Sequence, residues 1–261
     1  MATMHFLMVA LPLASMFSVI CTMIYCYVLW FPNRKDKSLY IPAISELGVG
    51  NPQHFYYQLG FGLTGFLLGV HMKVFEFAMA KHLAHGEYIN QEEPAEAVTV
   101  QSCIKYGLWA AFGCVLQGLF TLQAPEDLSA QSFVHWAGAI IFMVGAQRHA
   151  ATSSELYSRA SKYIIENEVV SPMSEDSFVA WAARLRNWLL ENTSTTSFMI
   201  IILAQLVSHV YIPKDGFSAM NMLGLVQWII IGQFAVYFMT YALDVHAALV
   251  WESESMRACI G

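Results

Sequence analysis

Charged side chains are scarce in this chain of 261 residues, where Asp, Glu, Lys and Arg together make up 12%. A soluble domain of ordinary composition carries roughly 25% charged residues. Hydrophobic residues reach 57% and the mean hydropathy is +0.48. The few charges could not solvate the surface of a soluble protein of this size. They could solvate two polar caps on a helical bundle that is embedded in lipid.

The chain also has no run rich in Lys and Arg, and its formal charge of −6 is modest. It therefore lacks the basic footprint of a nucleic-acid-binding protein and that of a polybasic lipid switch, and we expect no nucleic-acid partner. The five cysteines have no metal-ligand spacing and mostly lie in or beside apolar segments. We interpret them as small hydrophobic residues of the protein interior.

Short catalytic motifs are missing as well. The sequence contains no G-x-S-x-G, no H-E-x-x-H and no phosphate-binding glycine loop. Three histidines (His54, His135 and His209) with Glu46 offer the ligand types of a zinc site, but no two of them are spaced i, i+4. We therefore expect no catalytic residue, no metal and no cofactor, except that a phospholipid or glycolipid could be bound.

Long apolar segments are what the sequence does have. A bilayer core requires about 20 mostly apolar residues per helix, and Phe6 to Phe31 carries no charge at all. Because irregular backbone cannot face lipid, each such segment is predicted to be helical. The prediction is an all-α, polytopic membrane bundle, a single domain over 1–261, with six transmembrane helices at about 6–31, 55–80, 103–122, 131–152, 195–212 and 219–244.

The basic residues of the connecting loops indicate an orientation. One face of a six-span bundle receives a cap loop at 32–54 and carries Arg34, Lys35, Lys37 and Lys214. The other face carries Lys81, Arg148, Arg159, Lys162, Arg184, Arg186 and Arg257. The positive-inside rule makes this second face cytosolic. Both termini are then cytosolic, in a multi-pass protein of the plasma membrane or of an endomembrane (ER, Golgi or lysosome).

The predicted cytosolic loop, 153–193, contains a short amphipathic helix. Phe178, Trp181, Leu185 and Trp188 share one helical face, and Arg184 and Arg186 lie off this stripe. Tryptophan with arginine suits a helix that lies flat at the cytosolic interface. A helix packed beneath the bundle is the alternative.

Charged residues near the cytosolic ends of two spans have a simple interpretation. Lys73 and Glu76 are spaced i, i+3 and can form an ion pair. Asp244 and His246 lie at the end of the last span. We interpret all four as side chains that extend to the membrane interface.

Uncharged polar residues collect in the non-cytosolic half of the bundle. An unpaired polar group in hydrocarbon costs several kcal/mol, so these side chains should face one another or a wet cavity. They are interpreted either as structural hydrogen bonds between helices or as a pocket for a lipid headgroup. The candidate headgroup-binding residues are His54, Gln58, His135, Gln205, His209 and Gln227.

The loop after the first span introduces a family resemblance. Two prolines, two glycines and an asparagine between positions 40 and 52 predict a chain of turns, and Ser45 and Glu46 can bond exposed backbone groups, so we expect an ordered cap. Its pattern, P-x-I-S-D/E-x-G followed by a proline, resembles the Frag/DRAM/Sfk family of six-span membrane proteins. The motif positions are occupied by Pro42, Ile44, Ser45, Glu46 and Gly48.

Two later segments carry the same resemblance. The segment 133–139, FVHWAGA, is similar to the start of the family's fourth helix, and 237–244, YFMTYALD, resembles the end of its sixth. The family often has a Glu-Trp pair in the last helix, where this chain has Gln227 and Trp228. The lost carboxylate puts in doubt any role that needs a charge at that position.

The resemblance implies lipid handling. The family includes damage-regulated autophagy modulators, Sfk and TMEM150-type plasma-membrane proteins, and post-GPI-attachment factor 2. We expect a non-catalytic protein that binds or organises a phospholipid, phosphoinositide or GPI-related lipid, as a subunit or scaffold of a larger membrane complex. One alternative is a lipid-modifying enzyme or a cofactor in GPI-anchor remodelling, with Glu46 or His135 as general base. A channel or transporter is the second alternative.

Overall fold

Helices account for nearly all of the structure. The computed structural model describes residues 2–35, 37–84, 95–123, 129–166, 178–189 and 219–260. The helices in this part of the chain are α1 (Ala2–Asn33), α2 (Gln53–Ala84), α3 (Ala95–Leu119), α4 (Ala130–Glu166), α5 (Phe178–Leu189), α6 (Ala219–Met239) and α7 (Tyr241–Ile260). A 3₁₀ turn, Ile44–Gly48, lies between α1 and α2. No β-strand occurs in these ranges, and the predicted all-α class is confirmed.

Helices α1, α2 and α4 contain the predicted segments 6–31, 55–80 and 131–152 and extend beyond them, whereas α3 ends at Leu119, before the end of the predicted segment 103–122. Helix α4 continues to Glu166, so the first part of the predicted loop 153–193 is a helical continuation of the segment predicted as the fourth span. The predicted fifth span, 195–212, lies outside the described residues. Two stretches of the described helices, Phe6–Asn33 and Asn221–Val250, are long and apolar enough to cross a bilayer by length and composition.

Local chemistry explains where α1 ends and α2 begins. Pro32 lies in the last turn of α1, and the Asn33 side-chain amide donates to the Leu29 carbonyl at 3.0 Å. Before α2 the chain turns through Gly50, whose φ is +88°, and through a cis Asn51–Pro52 bond. Such a φ suits glycine because a side chain there would be strained.

Glycines let α3 approach both of its neighbours closely. A Cβ at Gly65 of α2 would lie 2.7 Å from the Ala111 carbonyl oxygen of α3, and a Cβ at Gly145 of α4 would lie 2.5 Å from the Ala110 amide nitrogen. Helix α2 also packs against α1, which in turn contacts α6 and α7. Small residues at helix contacts are typical of membrane bundles, where backbone approach supplies the packing energy.

The predicted last span is interrupted at Thr240, between α6 and α7. The Thr240 hydroxyl donates to the Tyr237 carbonyl at 2.6 Å and accepts from Arg186 at 3.0 Å. A hydroxyl that bonds to the preceding turn competes with the helical backbone and bends the helix. The break therefore coincides with the point where α5 contacts this helix.

Candidate functional site

The cap loop is held on the bundle by side chains of α6. Asn221 is fully buried, and its side-chain oxygen accepts from the backbone N–H groups of Tyr40 at 2.7 Å and of Ile41 at 2.9 Å. Its amide group donates to the Ser38 carbonyl at 3.1 Å. One asparagine therefore satisfies three backbone groups of the loop.

Gln227 and Trp228 hold the next part of the cap. The Gln227 side-chain oxygen accepts from the Ile44 N–H at 2.9 Å, and the Trp228 indole donates to the Pro42 carbonyl at 3.1 Å. Gly224 completes the contact, since a Cβ there would lie 2.7 Å from the Pro42 oxygen and closer still to that of Ile41. The hydrogen bond at position 227 uses an uncharged oxygen, so the Gln in place of the family's Glu is compatible with this role.

The predicted cap residues lie together in this loop. Pro42, Ile44, Glu46 and Gly48 are buried and Ser45 is half-buried. The Glu46 carboxylate accepts from the Ala43 N–H at 3.2 Å, which closes the 3₁₀ turn on itself. Burial raises the pKa of Glu46, and the hydrogen bond from Ala43 opposes this shift only in part.

Four predicted headgroup residues bond to the backbone of the protein itself, and Gln227 is described above. His54 Nδ1 lies 3.1 Å from the Gly48 carbonyl oxygen. His135 Nδ1 lies 2.9 Å from the carbonyl oxygen of Phe120, and the Gln58 side chain donates to that of Leu119 at 3.2 Å. Because a carbonyl only accepts, Nδ1 carries the proton in both histidines.

These contacts agree with the interpretation of the polar residues as structural hydrogen bonds within the protein. His135 and Gln58 bond to carbonyl groups at the end of α3, where no further helical turn supplies N–H groups to donate to them. His54 also lies 3.0 Å from the Thr121 hydroxyl. Gln205 and His209 lie outside the described residues. Headgroup binding by this set stays a prediction, and among described residues no three His, Cys, Asp or Glu side chains converge as metal ligands.

Lys73 and Glu76 lie at the opposite end of α2. The Lys73 ammonium and the Glu76 carboxylate form an ion pair at 2.9 Å, with both side chains substantially exposed. The pairing that their spacing predicts is therefore present. Exposed pairs of this kind contribute little to stability, so the two residues mark a polar boundary rather than a structural anchor.

Asp244 corrects the sequence interpretation. We expected it to extend to the interface, but its side chain is fully buried and forms an ion pair with Arg186 of α5 at 2.8 Å. The guanidinium group also lies 4.6 Å from the ring centre of Tyr157 and 4.5 Å from that of Tyr241. Burial alone would lower the pKa of Arg186, but Asp244 and the surrounding tyrosines raise it above its ordinary value. A carboxylate in an apolar interior requires such a partner.

Further polar groups surround this ion pair. The hydroxyl groups of Ser153, Tyr237 and Tyr241 bond to one another at 2.5–2.9 Å. His149 Nδ1 lies 2.8 Å from the Cys103 carbonyl oxygen, and its ring lies 5.6 Å from that of Tyr241. The cluster joins α4, α5, α6 and α7 in the half of the bundle opposite the cap.

Among the described residues, one face of helix α5 is buried against the bundle. Val179, Ala182, Arg186 and Leu189 are buried on that face. Phe178, Trp181 and Trp188 are exposed, as is Arg184. A helix is therefore present at Phe178–Leu189, and its position at the cytosolic interface stays a prediction. However, Arg184 lies on the exposed face beside the tryptophans, whereas Arg186 lies on the face toward the protein.

Sequence reasoning missed Asn221, Arg186 and Asp244 as organising residues. A signal existed for the last two, because an acid within an apolar span and an arginine on an amphipathic helix each need a partner when buried. Nothing in the sequence joins positions 186 and 244. Asn221 gave no signal, since a single asparagine at a helix start is common.

In the part of the chain that the structure describes, the helical fold and two long apolar stretches fit the class of integral membrane proteins. Residues 7–248 match the family model described as the Frag1/DRAM/Sfk1/Cwh43P N-terminal domain. The chain belongs to this family, which confirms the resemblance seen in the cap motif. Neither a curated protein nor a solved structure matches the chain significantly.

Proposed function

We propose that this protein is a non-catalytic, multi-pass membrane protein that organises lipid around a capped bundle and serves as a subunit or scaffold of a larger membrane complex. One observation carries the proposal. The polar side chains near the cap bond to the protein's own backbone, while apolar side chains line the outward faces of the helices.

The outward apolar stripe is clearest on α2. Its exposed members are Phe55, Leu59, Leu63, Phe66 and Val70. Spacings of three and four residues put them on one helical face, and Lys73 follows after the last. A stripe of this length would be an unusually large apolar patch in water, whereas in a bilayer it is the surface that contacts lipid.

Helices α3 and α4 carry stripes of similar length. The exposed apolar residues begin at Leu119 on α3 and at Phe133 on α4, and the exposed basic residues Lys105 and Arg148 lie fourteen and fifteen positions away. At 1.5 Å per residue this is about 22 Å, and Phe55 to Lys73 on α2 is about 27 Å. Both values approach the roughly 30 Å of a hydrocarbon core, with basic side chains reaching to the headgroups.

The outward apolar stripes of α2, α3 and α4 begin and end at similar depths along the bundle axis. Near the cap, Gln58 of α2 bonds to Leu119 of α3. At the other end, the Gly107 position of α3 lies against Met72 of α2 and His149 of α4, so Lys73, Lys105 and Arg148 lie at one level. This alignment supports the crossing of a bilayer by α2, α3 and α4 as well as by the two most apolar segments.

Cysteine accessibility tests the crossing. In a variant without the five native cysteines, Lys37→Cys near the cap and Glu155→Cys, seven residues beyond Arg148 on α4, are labelled with an impermeant maleimide on intact cells. We expect Lys37→Cys to react at once and Glu155→Cys to react only after permeabilisation. Equal reaction of both sites on intact cells would contradict a membrane between the two ends.

A second experiment distinguishes a structural role of His54 and His135 from binding of a lipid headgroup. His54→Ala and His135→Ala each remove a hydrogen bond to a carbonyl group, so we expect a lower thermal unfolding midpoint with unchanged co-purified lipid by native mass spectrometry. Loss of a specific lipid at an unchanged midpoint would instead favour the pocket. The observed contacts of Glu46 and His135 are to backbone groups, and they lend no support to the enzyme alternative.

A further inference from the structure

The exposed face of α5 combines one cation with two indole rings. Trp181, Arg184 and Trp188 are spaced three and four residues apart and are all exposed, with 51% exposure for Trp181 and 56% for Trp188. The spacing puts Arg184 between the two tryptophans on the helix surface. The opposite face is occupied by the Arg186–Asp244 ion pair, so α5 cannot rotate to bury its tryptophans without breaking that pair.

The contacts of Arg186 show the depth along the bundle axis at which α5 lies. Its guanidinium group lies over the Tyr241 ring, and that ring lies 5.7 Å from the ring of His71 and 5.6 Å from that of His149. His71 is two residues from Lys73, and His149 is adjacent to Arg148. Helix α5 therefore lies at the level where the outward apolar stripes end and basic residues begin.

Trp181 and Trp188 are close to Arg186 along the axis of α5, so the face that carries them lies near the same depth. Trp181 and Trp188 are five and two residues from Arg186, which is at most about 8 Å along the helix axis in any orientation. The headgroup region on each side of a bilayer is about 5–8 Å thick. The indoles and the guanidinium of Arg184 therefore lie within reach of headgroups.

We propose that the face formed by Trp181, Arg184 and Trp188 binds an anionic phospholipid of the cytosolic leaflet. The Arg184 guanidinium pairs with the phosphate or carboxylate of the headgroup, and the two indoles lie at the boundary between headgroups and acyl chains. The Arg186–Asp244 pair holds this face toward the lipid. This assignment rests on the proposed membrane embedding and names the lipid class involved.

The test compares two single charge removals. Arg184→Gln and Arg148→Gln each neutralise one exposed basic residue at the same level, but no tryptophan pair flanks Arg148. The full chain is assembled in nanodiscs of phosphatidylcholine with phosphatidylserine, and retained lipid is measured by native mass spectrometry. We expect Arg184→Gln to lower the preference for phosphatidylserine about fivefold, and Arg148→Gln to leave it nearly unchanged. Equal effects of the two variants, or none, would overturn the proposal.

Depth measurements give an independent readout. Brominated phosphatidylcholine quenches tryptophan fluorescence on contact, and the double variant Trp181→Phe, Trp188→Phe reports how much quenching these two rings contribute. We expect a large part of the quenching near the headgroups to disappear in the double variant. Unchanged quenching would mean that something other than lipid covers the face. Since the labelling of Lys37→Cys and Glu155→Cys tests the embedding separately, the two failures are distinguishable.

Discussion

At the scale of single residues, the cap loop is held by residues of α6 that bond to its backbone and pack directly against it. Asn221 satisfies three backbone groups, and an unsatisfied buried group costs about 1–3 kcal/mol. Gly224 supplies the close approach that brings Gln227 and Trp228 within hydrogen-bond distance of the loop. The cap motif therefore requires a matching surface nearly two hundred positions further along the chain.

Two glycines of α6 provide a matched pair of substitutions. Gly224→Ala forces its Cβ against the carbonyl groups of Ile41 and Pro42, whereas a Cβ at Gly232 meets nothing within 4 Å. We expect Gly224→Ala to destabilise the protein by about 1–3 kcal/mol and to speed tryptic cleavage at Arg34–Lys37. Gly232→Ala should be neutral or stabilising by up to about 1 kcal/mol. Similar cleavage rates for the two variants would contradict the close contact.

The raised pKa of Glu46 predicts that the free energy of unfolding depends on pH. Its folded-state pKa is raised, so folding favours the protonated acid. The contribution to stability is complete below the unfolded pKa of about 4.3 and is lost as pH rises through the folded pKa. Glu46→Gln keeps an oxygen for the Ala43 N–H but does not titrate. We expect the unfolding midpoint of the native chain to fall relative to Glu46→Gln as pH rises. A relative gain with rising pH would show that the carboxylate is stabilised in its charged form.

At the scale of elements, a buried charge pair attaches α5 to the bundle, together with the buried side chains of Val179, Ala182 and Leu189. Removing one member of such a pair typically costs 3–5 kcal/mol, while replacing both by apolar residues is often tolerated. We expect Arg186→Met to lose about 3–5 kcal/mol of unfolding free energy and Arg186→Met with Asp244→Leu to recover most of it. Arg184→Gln, on the exposed face, should change it by no more than about 0.5 kcal/mol. Additive losses in the double variant would contradict a direct pair.

The helices themselves were predictable because apolar length is a local property. The segments predicted at 6–31, 55–80 and 131–152 lie within α1, α2 and α4. The break at Thr240 was not predicted, because a threonine in an apolar segment does not show by itself that its hydroxyl will bond to the preceding turn and accept from Arg186 of another element. For the same reason the extension of α4 into the predicted cytosolic loop escaped notice, as its Tyr157 is buried by contacts with α5 and α7.

At the scale of the whole molecule, the outward surface is the strongest evidence of environment. Phe66 lies in the middle of the α2 stripe and is 65% exposed. Phe66→Lys would be harmless in water, but a lysine at the centre of a transmembrane helix costs about 3 kcal/mol. We expect this variant to accumulate poorly in membranes, while Tyr40→Lys, at a position that is 52% exposed in the cap loop, accumulates normally. Membrane fractionation measures both, and equal levels would argue against lipid contact at Phe66.

The amino-acid sequence by itself determined the all-α class, the apolar segments, the family and the cap motif, because these depend on composition and on residues near one another in the chain. It also identified His54, Gln58, His135 and Gln227 as polar groups that need partners. Only the tertiary structure decided that those partners are backbone groups of the cap and of the end of α3, and that Arg186 rather than Arg184 faces the protein. Hydrogen bonds and ion pairs between distant segments depend on how helices pack, and packing is set by the whole bundle at once.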